Sequence, residues 1–415
     1  MANSPCCSAP RTKSRIARTA TMLGIGMAIV MCQAAFADKT DKADESHGAD
    51  SLGHFLDFTN PYVSAEFTHD SNVLRLDDIQ PVENRGDEYV TVAAGFDSEI
   101  RRGQQQYQLL GEFNSTNYDH HTELNYNGGK AAAIWHWSAN DLTTGTAGYR
   151  FTRTLRNFEN EIAPRRDIDV RNENRIYATG DRDLLDNWKV GVRGDYGDVS
   201  YDHSTDLDIK KAIGGLSVGY VSHAGNILGA DFEYVDGSYK YVPKQNYTMY
   251  TIGPTLEWKF TVRTQLNGKV GYTHRTDANP SHPPYGAATG RFTLTIADAG
   301  RGSLAATAWR ELSTLGDEIS EYTVIDGFSL QPAWTLSNGM TVRLLGSYEN
   351  RDFVVVTGVA TDRKDDVGLV SAFLDWPIGR HIKITGGISR GRRSSTRLYQ
   401  DYEFFQQQLQ IVGTL

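Results

Sequence analysis

Two stretches of the 415-residue chain carry the G-x-S-x-G spacing of a serine-hydrolase elbow: Gly215-Leu216-Ser217-Val218-Gly219 and Gly387-Ile388-Ser389-Arg390-Gly391. That chemistry needs the serine on a strained turn leading from a strand into a helix. Both serines instead lie in runs whose apolar residues recur at every second position, with no helical spacing after them. His120-His121, Asp77-Asp78 and Asp365-Asp366 offer metal-ligating side chains, but none extends into a full ligand spacing. All three cysteines (Cys6, Cys7, Cys32) fall within residues 1–37, which excludes disulfides, zinc-thiolate sites and cysteine nucleophiles from the rest. The reading is of a protein with no catalytic residues, no cofactor and no metal.

The first segment sets the compartment. Arg11, Lys13, Arg15 and Arg18 form a basic region, an apolar stretch runs from Met22 to about Met31, and Ala35-Phe36-Ala37 supplies a small-x-small cleavage site. The apolar run is shorter than the roughly 20 residues of a spanning helix, so residues 1–37 read as a signal peptide rather than an anchor. Cleavage removes four of 42 basic residues and none of 51 acidic ones, taking the formal charge from −9 to −13. So acidic a chain is a poor partner for nucleic acid. Residues 38–59 are charged and lack alternation, as expected of a flexible periplasmic tail.

The elements that position the remaining polar residues follow from period-two alternation. Trp188, Val190, Val192, Gly194 and Tyr196 share one parity, and Lys189, Gly191, Arg193 and Asp195 the other. Leu266, Gly268, Val270 and Tyr272 alternate in the same way with Gln265, Asn267, Lys269 and Thr273. The apolar faces often finish in aromatics (Trp188, Tyr220, Tyr234, Trp258, Tyr272, Trp334, Tyr348, Trp376), where an interfacial belt would place them. The pattern predicts eighteen strands. The first nine lie near 61–75, 87–102, 105–118, 122–138, 141–157, 168–181, 187–200, 207–222 and 226–240. The second nine lie near 246–260, 263–275, 286–298, 302–313, 319–335, 339–354, 365–377, 380–393 and 398–415. Connections after even strands are short (Gly103-Gln104, Ala139-Asn140, Ser337-Asn338, Gly379), whereas several after odd strands are long (76–86, 158–167, 276–285, 355–364). Short periplasmic turns opposite long external loops are the asymmetry of an outer-membrane barrel, so residues 60–415 read as an all-β, antiparallel transmembrane barrel of about eighteen strands.

The same register puts a set of charged residues on the inward, pore-lining parity. The acids are Glu66, Glu112, Asp231, Glu233, Glu257 and Glu349, and the bases are Arg150, Lys189, Arg193, Lys259, Lys269, Arg291, Arg343 and Lys383. Charge of both signs inside a barrel of this size implies water within it.

The segment from Tyr62 to Leu76 is aromatic-rich and runs into Asp70-Ser71-Asn72-Val73-Leu74-Arg75-Leu76. It resembles the opening of the EpsL-type barrels encoded in exopolysaccharide operons, with Asp70, Ser71, Asn72 and Arg75 on the family's motif. Later features look similar: the charged strand near Arg153–Asn160, Thr289-Gly290-Arg291-Phe292 and a Tyr-rich last strand. The resemblance implies export of an extracellular polysaccharide, with a polysaccharide co-polymerase and periplasmic export components as partners beside outer-membrane lipid. The alternating strands alone accommodate a second reading, a porin for small hydrophilic solutes.

Overall fold

The computed structural model describes residues 59–79, 84–156, 158, 169–184, 187–280, 284–297, 301–313, 320–355 and 363–414. Residues 1–37, read above as a signal peptide, and residues 38–58 of the expected tail lie outside them. The first six strands are β1 (Thr59–Asp70), β2 (Asp87–Arg102), β3 (Gln105–Tyr118), β4 (Tyr126–Asn140), β5 (Thr143–Leu155) and β6 (Val170–Leu184). Next come β7 (Trp188–Tyr201), β8 (Ile209–Val221), β9 (Ile227–Tyr239), β10 (Tyr247–Thr261), β11 (Thr264–Asp277) and β12 (Tyr285–Ala297). The last six are β13 (Gly302–Ser313), β14 (Ser320–Thr335), β15 (Thr341–Val355), β16 (Lys364–Ile378), β17 (Ile382–Ser395) and β18 (Tyr402–Thr414). Each strand pairs antiparallel with the next, and β18 returns to β1 from Tyr62↔Thr414 to Asp70↔Gln406, closing one 18-stranded barrel. Closure gives every strand a paired neighbour on both sides, which is what a β-structure needs to cross a bilayer. Among the described residues no helix is long and apolar enough to cross.

The outward parity is apolar and exposed: Val192, Leu216, Leu228, Ile252, Val270, Val370 and Ile388 are examples. Trp135, Trp188, Trp258, Trp334 and Trp376 stand toward the short-turn end of this face, and Tyr149, Tyr196, Tyr234, Tyr250 and Tyr348 toward the long-loop end. These are two girdles on a lipid-facing band, and the protein is an outer-membrane barrel. The short turns use glycine where the backbone must turn left-handed, as at Gly103 (φ 59°) and Gly379 (φ 67°).

Three strands begin or end four residues or more from where alternation predicts. β1 stops at Asp70, because Asn72 and Arg75 (φ 54°) turn the chain into a knot described below. β4 begins at Tyr126, after a 3₁₀ turn over Thr122–Leu124. β18 begins only at Tyr402. The turn before β4 recurs in the loops before β8 (Thr205–Leu207) and β10 (Pro243–Gln245). In each, the last tyrosine of the preceding strand donates its N–H to an Asx side chain: Tyr118 to Asn125, Tyr201 to Asp208 and Tyr239 to Asn246, at 2.7–2.8 Å.

One seam departs from the regular ladder. β12 and β13 pair only from Ala297↔Ser303 up to Gly290↔Arg310, so the extracellular ends Tyr285–Thr289 and Glu311–Ser313 part. β12 stays paired to β11 up to Arg275↔Tyr285, and β13 to β14 up to Ser313↔Thr323. Tyr322 and Val324 have outward parity on β14, yet both are buried. The Tyr322 ring lies 5.3 Å from that of Tyr285 and 4.7 Å from the guanidinium of Arg275, both inward-facing residues of β12 and β11. The extracellular ends of β13 and β14 are therefore tucked inside those of β11 and β12.

Candidate functional site

The inner wall is built by the parity opposite the apolar band. In the ladder register all fourteen charged residues singled out by sequence fall on that parity, and cross-strand pairing gathers most of them into clusters. The largest joins side chains of three strands. Arg193 on β7 donates to Asp231 on β9 at 2.5 and 3.0 Å and to Glu233 at 2.8 Å, and Lys269 on β11 donates to the same Asp231. Gly215 of β8 stands between Arg193 and Glu233 in the ladder, and a Cβ there would meet Arg193 Nε at 2.5 Å. Absence of a side chain at 215 is what lets the guanidinium cross β8.

Across the lumen wall, Glu112 (β3) accepts from Lys130 (β4) at 2.9 Å and from the Tyr62 hydroxyl of β1. Asp375 (β16) collects Arg343 (β15) at 2.6 Å, Lys383 (β17) at 3.4 Å and the Thr385 hydroxyl at 2.8 Å. Arg291 (β12) pairs with Glu311 (β13) at 3.0 Å, and Glu349 with Arg351 on β15 at 2.6 Å. Arg150 and Arg175 approach the Tyr177 ring at 5.5 and 5.6 Å, and Arg175 is neutralised by Asp195 at 2.5 Å. Glu257 and Lys259 stand 4.0 Å apart beside a register shift in β10, and Glu66 accepts from Thr68. Lys189 has no ion-pair partner among the described residues.

Many of these side chains are wet: Lys130, Arg175, Arg291 and Lys383 are 46–53% exposed although they face inward. Pairs so exposed add little stability. Several of their acidic partners are drier: Glu112, Asp195 and Asp375 are 14–15% exposed, and Asp231 only 6% beneath its two cations. Lys130, Arg175, Asp195, Glu311 and Asp375 belong to the same wall, and alternation within the predicted strands carried the signal for them. The buried arginines of the mouth carried none, because inward parity does not distinguish a wet position from one covered by a loop.

At the extracellular end arginines lie over inward aromatic rings: Arg75 on Phe404 at 3.7 Å, Arg275 on Tyr247 at 3.9 Å, Arg363 on Phe353 at 4.0 Å and Arg393 on Tyr402 at 4.5 Å. Two apolar clusters accompany them. Val73, Leu74 and Leu76 pack with Leu124 and Phe158 from neighbouring loops, and Ile209, Val235, Tyr239 and Tyr247 pack at the tops of β8–β10. Residues of three successive external loops thus share one small core.

The Asp70–Arg75 motif is the staple of that core. Both guanidinium nitrogens of Arg75 reach Asp70 at 2.9 Å. The Asn72 amide spans Leu76 O and Glu403 O at 2.8 and 3.0 Å while its oxygen accepts the Leu76 N–H. Ser71 exchanges bonds with the Phe405 backbone. Asp70, Ser71, Asn72 and Arg75 thus spend these bonds within the protein, on the shape of the loop.

The catalytic and metal spacings resolve in the same direction. Ser217 and Ser389 lie inside β8 and β17, and Ser389 donates to Ser371 across the wall at 2.9 Å. His120 and His121 give their backbone N–H groups to Asp87, while Asp365 pairs with Arg363 and Asp366 accepts from Tyr348. Among the described residues no group of His, Cys, Asp and Glu is arranged to hold a metal ion.

No protein-family model matches the chain, and no curated protein matches it. Solved structures do. The crystal structure of Pseudomonas aeruginosa OccK9 (OpdG) is 10% identical, with a TM-score of 0.51 over 87% of this chain and 100% of that one. OccK3 (OpdO) of the same organism is 12% identical, with a TM-score of 0.49 over 89% and 99%. Acinetobacter baumannii OccAB3 is 8% identical, with a TM-score of 0.46 over 86% and 99%. At such identities the likeness is one of fold alone, that of an outer-membrane β-barrel. This overturns the resemblance to the EpsL-type barrels. The exopolysaccharide-export role goes with it, as do the polysaccharide and the co-polymerase or periplasmic export components as partners. The motif that carried the resemblance is spent on the loop core.

Proposed function

We propose that this barrel is a passive channel through which small hydrophilic solutes diffuse across the outer membrane. One observation carries the reading: an inner wall of paired charges, its cations half-exposed, lies beneath an extracellular end where residues of three loops share a core and Tyr322 of β14 packs on the inner face of β11 and β12. A hydrated solute crossing such a wall exchanges water for polar wall groups at little desolvation cost. Alternating acids and bases wet the path without gathering a field of one sign, so a passing molecule can leave as readily as it enters. The narrowing at the mouth sets an upper size, which favours single small molecules over a polymer. All fourteen inward charges are proposed to line this path, with Lys189 and Arg150 as its least neutralised positions.

Liposome swelling tests the reading. Vesicles containing the refolded barrel are expected to swell in a monosaccharide, more slowly in a tetrasaccharide, and not in dextran. Swelling no faster than that of empty vesicles in the monosaccharide would overturn it.

A further inference from the structure

The parted seam between β12 and β13 opens a cavity of about 220 Å³ against the charged inner wall. One side is the inner face of β10–β12. There Thr251, Thr273 and Thr289 form a continuous hydroxyl ladder, with oxygens 2.8 and 2.6 Å apart. Gly271 leaves the floor open between two of them: a Cβ there would meet Ile252 O at 2.7 Å. The other side is the tucked-in end of β13, which brings Glu311 and Leu312 against that face. Lys269, Arg291 and Glu233 stand at the edges.

The charges around this cavity cancel. Arg193, Lys269, Arg291 and Arg310 are each bonded to a carboxylate from the set Asp231, Glu233, Glu311 and Asp326. A charged ligand would have to displace a partner from one of these pairs. A neutral molecule with several hydroxyls need not, because the threonine ladder and the free lone pairs of the paired carboxylates can exchange bonds with it. The volume lies below the ~300–1,000 Å³ of sites for drug-sized ligands, which suits one small ring.

We propose that the cleft between the extracellular ends of β12 and β13 is a binding site for a neutral polyhydroxylated solute of monosaccharide size. The proposal rests on the channel reading and names the class of solute that pauses on its way through.

The test is calorimetric titration of the detergent-folded barrel with glucose, glucuronate and glucosamine, which share a ring and differ in charge. Glucose is expected to bind saturably and about tenfold more tightly than either charged sugar. Thr273→Val, which keeps the shape and removes the central hydroxyl, should weaken glucose about fivefold, the loss of roughly one hydrogen bond. Thr289→Val should act likewise and stands in if the first variant fails to fold. Absence of saturable glucose binding, or equal affinity in both variants, overturns the proposal. Ionic conductance of the same preparation separates the two readings. A conducting barrel that ignores glucose removes the sugar site alone, and a glucose-binding barrel that does not conduct removes the channel.

Discussion

Asp231 shows how single residues set the wall. Its carboxylate is nearly buried between Arg193 and Lys269, so it cannot be removed without leaving two cations facing each other across β9. Breaking such a pair costs on the order of 3 kcal/mol when the remaining charge stays buried, and the figure is smaller here because both cations reach water. Asp231→Asn is expected to fold, to melt earlier than wild type, and to shift the reversal potential in a salt gradient toward anions. Unchanged ion selectivity would mean that the cluster does not face the conducting path. Asn72 acts on the loop core instead. Asn72→Ala removes the bonds to Leu76 and Glu403 and should open residues 71–86 to protease on intact cells, with strands β2 onward protected. These motif residues were visible in the sequence, but their types do not say whether they turn outward to a cargo or inward on themselves. Only the Asp70–Arg75 pairing and the stacking of Arg75 on Phe404, remote in sequence, decide that.

The strands were the most legible element, because a barrel wall with lipid on one side and water on the other writes its parity into every residue. β2, β3 and β13 run over the residues that alternation predicts, since turn residues or charged loops bracket them. The register can be tested by a pair of neighbours. Val192 is 58% exposed on the lipid face, where an arginine costs roughly 2–4 kcal/mol at the bilayer midplane. Val192→Arg is expected to lose the heat-modifiable folded band that Arg193→Gln keeps, and equal yields would place β7 in the wrong register. The parting of β12 and β13 was not legible, because both strands keep their alternation through it. Nothing in Tyr322 or Val324 announces that an outward position has been covered by a neighbouring strand. The repeated Tyr–Asx loop was present in the sequence and is a signal that strand periodicity passes over. The seam itself can be probed with paired cysteines in a mature chain that lacks them. Thr293→Cys with Thr307→Cys, whose hydroxyls lie 3.1 Å apart, should cross-link. Ala287→Cys with Ser313→Cys, the positions that would face each other if the ladder continued, should not.

At the scale of the whole molecule, eighteen antiparallel strands close into a barrel with an apolar band between two aromatic girdles outside and a polar, charged parity inside. The compartment was legible from the two classes of connection. The cargo was not, because a polymer outlet and a solute pore share the same alternation. What separates them is how far the extracellular end closes over the lumen, a property of tertiary packing among Val73, Leu76, Leu124, Phe158 and Tyr322. The most direct measurement is single-channel recording from the purified barrel in a planar bilayer. Small ohmic conductance steps are expected in potassium chloride, reduced by added monosaccharide on either side and unaffected by a high-molecular-weight dextran. A folded barrel that inserts and gives no conductance steps in salt alone would contradict the account.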